Sequence, residues 1–135
     1  MDDKQVALVQ ESFKKVVPIA DKAAEIFYAK LFEFDPELKK LFKGDMAEQG
    51  KKLMSTLAIV IGGLDKPETI IPAAEKLAVK HVDYGVKAED YTTVGNALLF
   101  TLKTGLGDAF TDEVKAAWVA AYKVLADVMK KAAYK

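Results

Sequence analysis

His81 is the only histidine in a chain of 135 residues that contains no cysteine, and together these facts restrict the chemistry the sequence can host. Without cysteine there is no disulfide framework, no thiolate nucleophile and no Cys-ligated zinc or iron–sulfur site. One imidazole cannot complete a four-ligand zinc site or a facial triad, and no partners for a Ser-His base are evident. Axial ligation of haem iron needs only one protein nitrogen. A plainer alternative stays open at this level: His81 closes the helically periodic run "AEKLAVKH", where a histidine can equally be structural or face solvent.

The elements that must position His81 read as helices. Val6, Val9, Phe13, Val16 and Val17 step along one face of a first helix, which Pro18 interrupts and which restarts at once. The next carries Ala23, Ala24, Phe27, Leu31 and Phe34, with small residues on one side where another helix can approach closely. Asp35 and Pro36 suit the cap and first residue of a short third helix, "PELKKLF", punctuated by Gly44. A long helix from about Met46 to Ile61 bears Leu53, Met54, Leu57 and Ile61 and stops at Gly62-Gly63.

"KPETIIPAAEKLAVKH" holds two prolines and then a helix with Ala73, Ala74, Leu77 and Val79, closing at His81, before Gly85 breaks the pattern. Tyr91, Val94, Leu98 and Leu102 mark a helix from about Ala88 to Gly105. Thr111 caps a last one with Val114, Trp118, Tyr122, Leu125 and Met129. Nothing argues for strands. About seven helices of unequal length differ from a regular four-helix bundle and imply irregular packing around something.

Composition narrows the setting. Hydrophobic residues make up 51% of the chain, enough for one folded core, and 20 basic residues balance 20 acidic ones. No bulk charge therefore draws the chain to nucleic acid or an anionic membrane. "MDDKQVALVQ" lacks a basic-then-apolar leader and "TLAIVIGGL" is too short to span a bilayer, so the expectation is a soluble cytoplasmic protein.

Over nearly the whole chain the residues resemble those of globins, in particular bacterial single-domain haemoglobins and the globin domain of flavohaemoglobins. "FYAKLFEFDPELKKLF", "EQGKKLMSTL", "IIPAAEKLAVKH", "VKAEDYTTVGNALL" and "AAWVAAYKVLADV" fall in the family's order with almost unchanged separations. The resemblance implies an all-α globin fold of about seven helices around one haem b, spanning 1–135 as a single domain. It places His81 as the iron ligand and Tyr28 and Gln49 as the distal polar pair. Phe42 becomes the ring packed on the macrocycle, with Leu53, Leu57, Leu77, Val86, Val94 and Leu98 as pocket lining. Without the resemblance those apolar residues read as ordinary core.

By the same resemblance the ligands are dioxygen, with nitric oxide or carbon monoxide, and the reaction is nitric oxide dioxygenation. Bound dioxygen carries partial negative charge that a buried phenol or amide donor stabilises. Gln49 and Leu53, four residues apart, share a helix face. Two departures bear on mechanism. The family's proximal histidine is hydrogen-bonded by a tyrosine, here Tyr91, and by a glutamate whose place is taken by Ala133. The sequence closes at Lys135 with no stretch for flavin and nicotinamide domains, so electrons are expected from a separate reductase. The expected assembly is a monomer or weak homodimer. Oxygen storage or delivery without turnover, a haem-based gas sensor and a haem-free interaction domain are the alternative functions.

Overall fold

A computed structural model describes residues 2–42, 45–83 and 86–133. Gly44 and Gly85, the expected punctuation, lie outside these residues. The described part is helical, with six α-helices and three short 3-10 segments, and holds no strand.

Local chemistry explains most of the boundaries. Helix α1 (Asp3–Val16) opens on a reciprocal cap: the Asp2 carboxylate accepts the Gln5 N–H at 2.8 Å, and the Asp2 N–H donates to the Gln5 side chain. Pro18 lacks the N–H that a continuous helix needs, and the chain passes through a 3-10 turn (Val17–Ile19) into α2 (Ala20–Phe34). Asp35 accepts the Glu37 N–H at 3.1 Å, as its type suggests. The short third helix proves to be a tighter 3-10 segment (Pro36–Leu41).

Helix α3 (Met46–Gly62) starts on Asp45, whose carboxylate accepts the Ala47 N–H at 2.8 Å, and stops at Gly63. Helix α4 (Pro67–Asp83) is longer than the sequence pattern suggests. Pro67 costs nothing in a first turn, Pro72 is absorbed inside the helix, and two residues follow His81. Helix α5 (Asp90–Leu106) and a 3-10 turn (Gly107–Ala109) lead to α6 (Asp112–Ala133), where Thr111 Oγ1 accepts the Val114 N–H at 3.2 Å.

Helix α2 packs on α3 and α5, while α1 and α4 pack on α6. The α2–α3 crossing uses the small residues expected of it: a Cβ on Gly50 would stand 2.9 Å from the Ala24 Cβ. A Cβ on Gly95 would lie 2.8 Å from the Tyr122 ring, so that glycine lets α6 close onto α5. Trp118 is buried, and its indole N–H donates to Ser12 Oγ at 2.8 Å, tying α6 to α1.

Hydrophobic burial divides into two clusters. The larger joins α1, α2, α3, α5, the first half of α6 and Ile70 at the start of α4; the smaller is Ala74 and Ala78 of α4, Tyr91 of α5, and Ala126 and Met129 of α6. Two apolar stripes differ from expectation. On α4 the inward positions are Ala74, Leu77, Ala78 and His81, which follow the i, i+3, i+4, i+7 rule, whereas Ala73 and Val79 face outward. Phe34 is exposed at the end of α2, with the Lys30 ammonium 5.2 Å above its ring.

The crossing predicts the cost of a larger residue. Gly50→Val should force α3 away from α2 and lower stability by about 1–3 kcal/mol, read from urea unfolding midpoints at an unchanged slope.

Candidate functional site

The sequence-predicted residues fall on two groups of elements. Tyr28 comes from α2, Phe42 from the end of the 3-10 segment, and Gln49, Leu53 and Leu57 from α3. Leu77 and His81 lie on α4, Val86 on the turn that follows, and Tyr91, Val94 and Leu98 on α5. Phe42, Leu53, Leu57, Val94 and Leu98 belong to the larger hydrophobic cluster, whereas Leu77, Val86 and Tyr91 belong to the smaller. Apart from Leu98 and Tyr91 these apolar side chains are only half-buried, so they line rims rather than fill a core.

Tyr28 is held in an aromatic box. Its ring meets Phe27 edge-on at 5.1 Å and Phe42 at 5.3 Å, stacks on Phe32 at 6.1 Å, and Phe32 meets Phe42 at 5.4 Å. Phe32 was not singled out from sequence, although its place one helical turn after Tyr28 is the signal that could have found it. The Tyr28 hydroxyl donates to the backbone carbonyl of Gln49 at 3.3 Å. The phenol therefore meets the start of α3, and its acceptor there is the Gln49 main chain. Gln49 itself is half-buried, one turn before Leu53. Behind Leu53, Leu57 and Leu98 lies an apolar cavity of about 20 Å³, walled also by Phe27, Met54 and Trp118.

On the other side His81 is half-buried, with Nδ1 2.7 Å from the carbonyl of Leu77 one turn earlier. A carbonyl can only accept, so Nδ1 of the neutral ring carries the proton and Nε2 keeps the lone pair that a metal requires. The carbonyl of His81 accepts the Val86 N–H at 2.9 Å, fixing the turn that brings Val86 beside it. The Tyr91 ring is buried, 6.3 Å from the imidazole and tilted by 37°.

Two further contacts hold Tyr91. Asp90, buried at the start of α5, accepts the Lys87 N–H at 2.9 Å, and the Tyr122 hydroxyl donates to the Tyr91 carbonyl at 2.6 Å. Ala133 packs against the same cluster, so that position of α6 is apolar. Among the described residues no three His, Cys, Asp or Glu side chains converge on a common point, which makes His81 a single-nitrogen donor. Lys51, Lys52 and Lys80 are exposed. No described helix is long and apolar enough to cross a membrane.

Burial raises the Tyr28 phenol to about 12 and pushes Tyr122 higher still, with the neighbouring Tyr91 adding to the second shift. Both therefore remain O–H donors at neutral pH. Because the folded-state values lie above the unfolded value near 10, their contribution is fully present below about pH 10 and is lost as pH rises through about 12. Urea midpoints should hold to about pH 9 and fall by about pH 11, and Tyr28→Phe should flatten that fall without abolishing it, since Tyr122 remains.

Comparison with known proteins agrees with this architecture. The globin family model matches residues 25–129. A flavohemoprotein from Oceanobacillus iheyensis is 38% identical over 125 residues, which is 87% of this chain and 31% of that protein. One from Bordetella parapertussis is 35% identical over 128 residues, covering 90% of this chain and 32% of its own length. The chain thus spans about a third of these relatives. Among solved structures, an engineered carbene transferase from Rhodothermus marinus, provisionally described as a nitric oxide dioxygenase, superposes with a TM-score of 0.88 at 27% identity, covering 99% of this chain and 94% of that one. A hexacoordinated heme protein from an anhydrobiotic tardigrade gives 0.90 at 15% identity over 100% and 96% of the two chains, a likeness of fold alone. With the family model matched across most of its length and relatives more than a third identical, this chain belongs to the globin family.

Proposed function

We propose that this globin binds haem b between α3 and α4 with His81 as the iron ligand, takes up dioxygen reversibly, and converts nitric oxide to nitrate when a separate reductase returns the electron consumed. The observation that carries this reading is the divided core. Half-buried apolar side chains of α3 and α4 belong to two different hydrophobic clusters, and the His81 imidazole, its Nδ1 bonded to the Leu77 carbonyl, stands beside those of α4. Such a donor set fits a flat apolar macrocycle whose metal needs one protein nitrogen. The name of the flavohemoprotein relatives supports the same cofactor.

When bound, haem iron supplies reversible gas coordination and the one-electron chemistry by which dioxygen, nitric oxide and one electron become nitrate, with the O–O bond broken and two N–O bonds formed. The residues do the rest. His81 is oriented by its Nδ1–H bond to Leu77, which fixes the tautomer and the ring plane. Phe42, braced by Phe32, would pack on the macrocycle, and Leu53 and Leu57 would exclude water from the pocket. Tyr28, kept neutral by burial, would turn its hydroxyl from the Gln49 carbonyl toward a bound gas, with the Gln49 side-chain amide as a second donor from α3.

Oxygen storage or delivery is the second reading, and one observation favours it. The Tyr28 hydroxyl is already engaged by the Gln49 carbonyl, so donation to a ligand must first break or share that bond, which lowers its net value. A haem-based gas sensor and a haem-free interaction domain remain further outcomes of the same measurements.

The deciding experiments are spectroscopic and kinetic. The reduced protein should show a Soret band that shifts sharply with carbon monoxide, and His81→Ala should lose it. Absence of stoichiometric haem uptake by the unmodified chain would make the domain a haem-free one. Tyr28→Phe should raise the oxygen dissociation rate about 10- to 100-fold if the phenol donates a hydrogen bond worth about 1.5–3 kcal/mol. An unchanged rate with fast release favours delivery. Mixing the oxygenated protein with nitric oxide must yield ferric haem and nitrate, and failure to do so excludes dioxygenation.

A further inference from the structure

The surroundings of Tyr91, the ring beside His81, contain one residue that neither the spacing of motifs nor the resemblance singled out. Lys130 lies on α6 with its ammonium 6.0 Å from the centroid of the Tyr91 ring, and that ring is itself 6.3 Å from the imidazole of His81. Around Tyr91 the packed side chains are apolar: Ala74, Ala78, Ala126 and Met129, with Leu77 and Ala133 at the edge. Such a wall offers few dipoles to screen a nearby charge.

Lys130 is half-buried, lying along a groove of about 310 Å³ between α5 and α6 that Tyr91 also lines. The ion pairs among the described residues belong to Lys4, Lys30 and Lys40, and none involves Lys130. Asp127, one turn earlier on the same groove, and Lys123 are the other charged groups there, and they offset one another in sign. Ala133, one turn beyond Lys130, brings no carboxylate to the cluster.

We propose that Lys130 tunes the iron site electrostatically, its cation over Tyr91 favouring the ferrous state and making His81 a weaker electron donor. The proposal rests on the haem reading above. Lys130 touches neither iron nor gas; it acts through the aromatic ring and through the field that it imposes. The ring's electron-rich face holds the ammonium in place. Ferrous haem carries one positive charge fewer than ferric haem, so a fixed cation on the proximal side disfavours oxidation. The same cation draws electron density from the imidazole, the opposite of what a carboxylate partner does to a metal-bound histidine. A globin built this way should keep its iron ferrous, and hence ready for a gas, with less frequent need of a reductase.

The test is an anaerobic redox titration of the haem-loaded protein and of three variants, K130R, K130M and K130E, followed in the visible spectrum. At a fixed reference potential the ferrous-to-ferric ratio should fall about threefold in K130M and about tenfold in K130E, in proportion to the charge removed, and hold in K130R. The iron–histidine stretching frequency of the ferrous protein should rise in the same order. Thermal unfolding of each variant separates a change of field from a change of fold, and K130M, which keeps the length and apolar stem of the side chain, is the variant least disturbed. Equal ratios in K130M and K130E at full haem loading overturn the proposal, as does K130R behaving like K130M. Failure of the unmodified chain to take up haem instead overturns the cofactor reading on which it rests.

Discussion

The packing of α4 against α6, far more extensive than its contact with α3, is the constraint on which the rest of this molecule depends. Ala74 and Ala78 present a face so small that α4 can lie close on Ala126 and Met129, and burying that face holds the helix in place. Because α4 is secured from behind, its front edge, with Leu77 and His81, need not close onto α3. A hydrophobic core that closed completely would be more stable as a polypeptide, since half-buried leucines forgo part of their transfer free energy. The divided core therefore forgoes some of that stability.

On the facing side, rigidity comes from rings and caps. Phe27, Phe32 and Phe42 surround Tyr28 with edge and stacked contacts, and Asp45 closes the N-terminus of α3 directly opposite the phenol. The Tyr28 hydroxyl then bonds the main chain of Gln49, so α2 and α3 meet through Gly50 against Ala24 and through this hydrogen bond. A donor that is fixed in position loses little entropy when it turns toward a ligand, but it must give up an existing partner to do so. In the haem reading proposed above, ligand release and retention would be set by the balance of those two effects.

The opposite side is quieter in composition and more consequential in charge. Tyr91 is locked by the Asp90 bond to the Lys87 N–H before it and by Tyr122 behind it, and Gly95 is the residue that lets Tyr122 come close. Around this fixed ring the walls are alanine, leucine and methionine, and the Lys130 ammonium of α6 lies 6.0 Å from its centroid.

The helical class, the caps at Asp35 and Thr111, the break at Pro18, the stop at Gly63 and the small-residue face of α2 were all legible in the amino-acid order, because each follows from contacts within a few residues or from a 3.6-residue period. His81 stood out as the one available nitrogen for the same local reason: the chain has no other histidine and no cysteine. Side-chain direction at the ends of those stripes was not legible. Phe34, Ala73 and Val79 face outward because the partner helix, not the helix's own period, decides where the buried arc ends. The division of the core, the Tyr28 bond to a main-chain carbonyl and the approach of Lys130 to Tyr91 each join residues far apart along the chain. Their distances arise only when α4 settles on α6 and α2 crosses α3, and so the tertiary structure alone decided them.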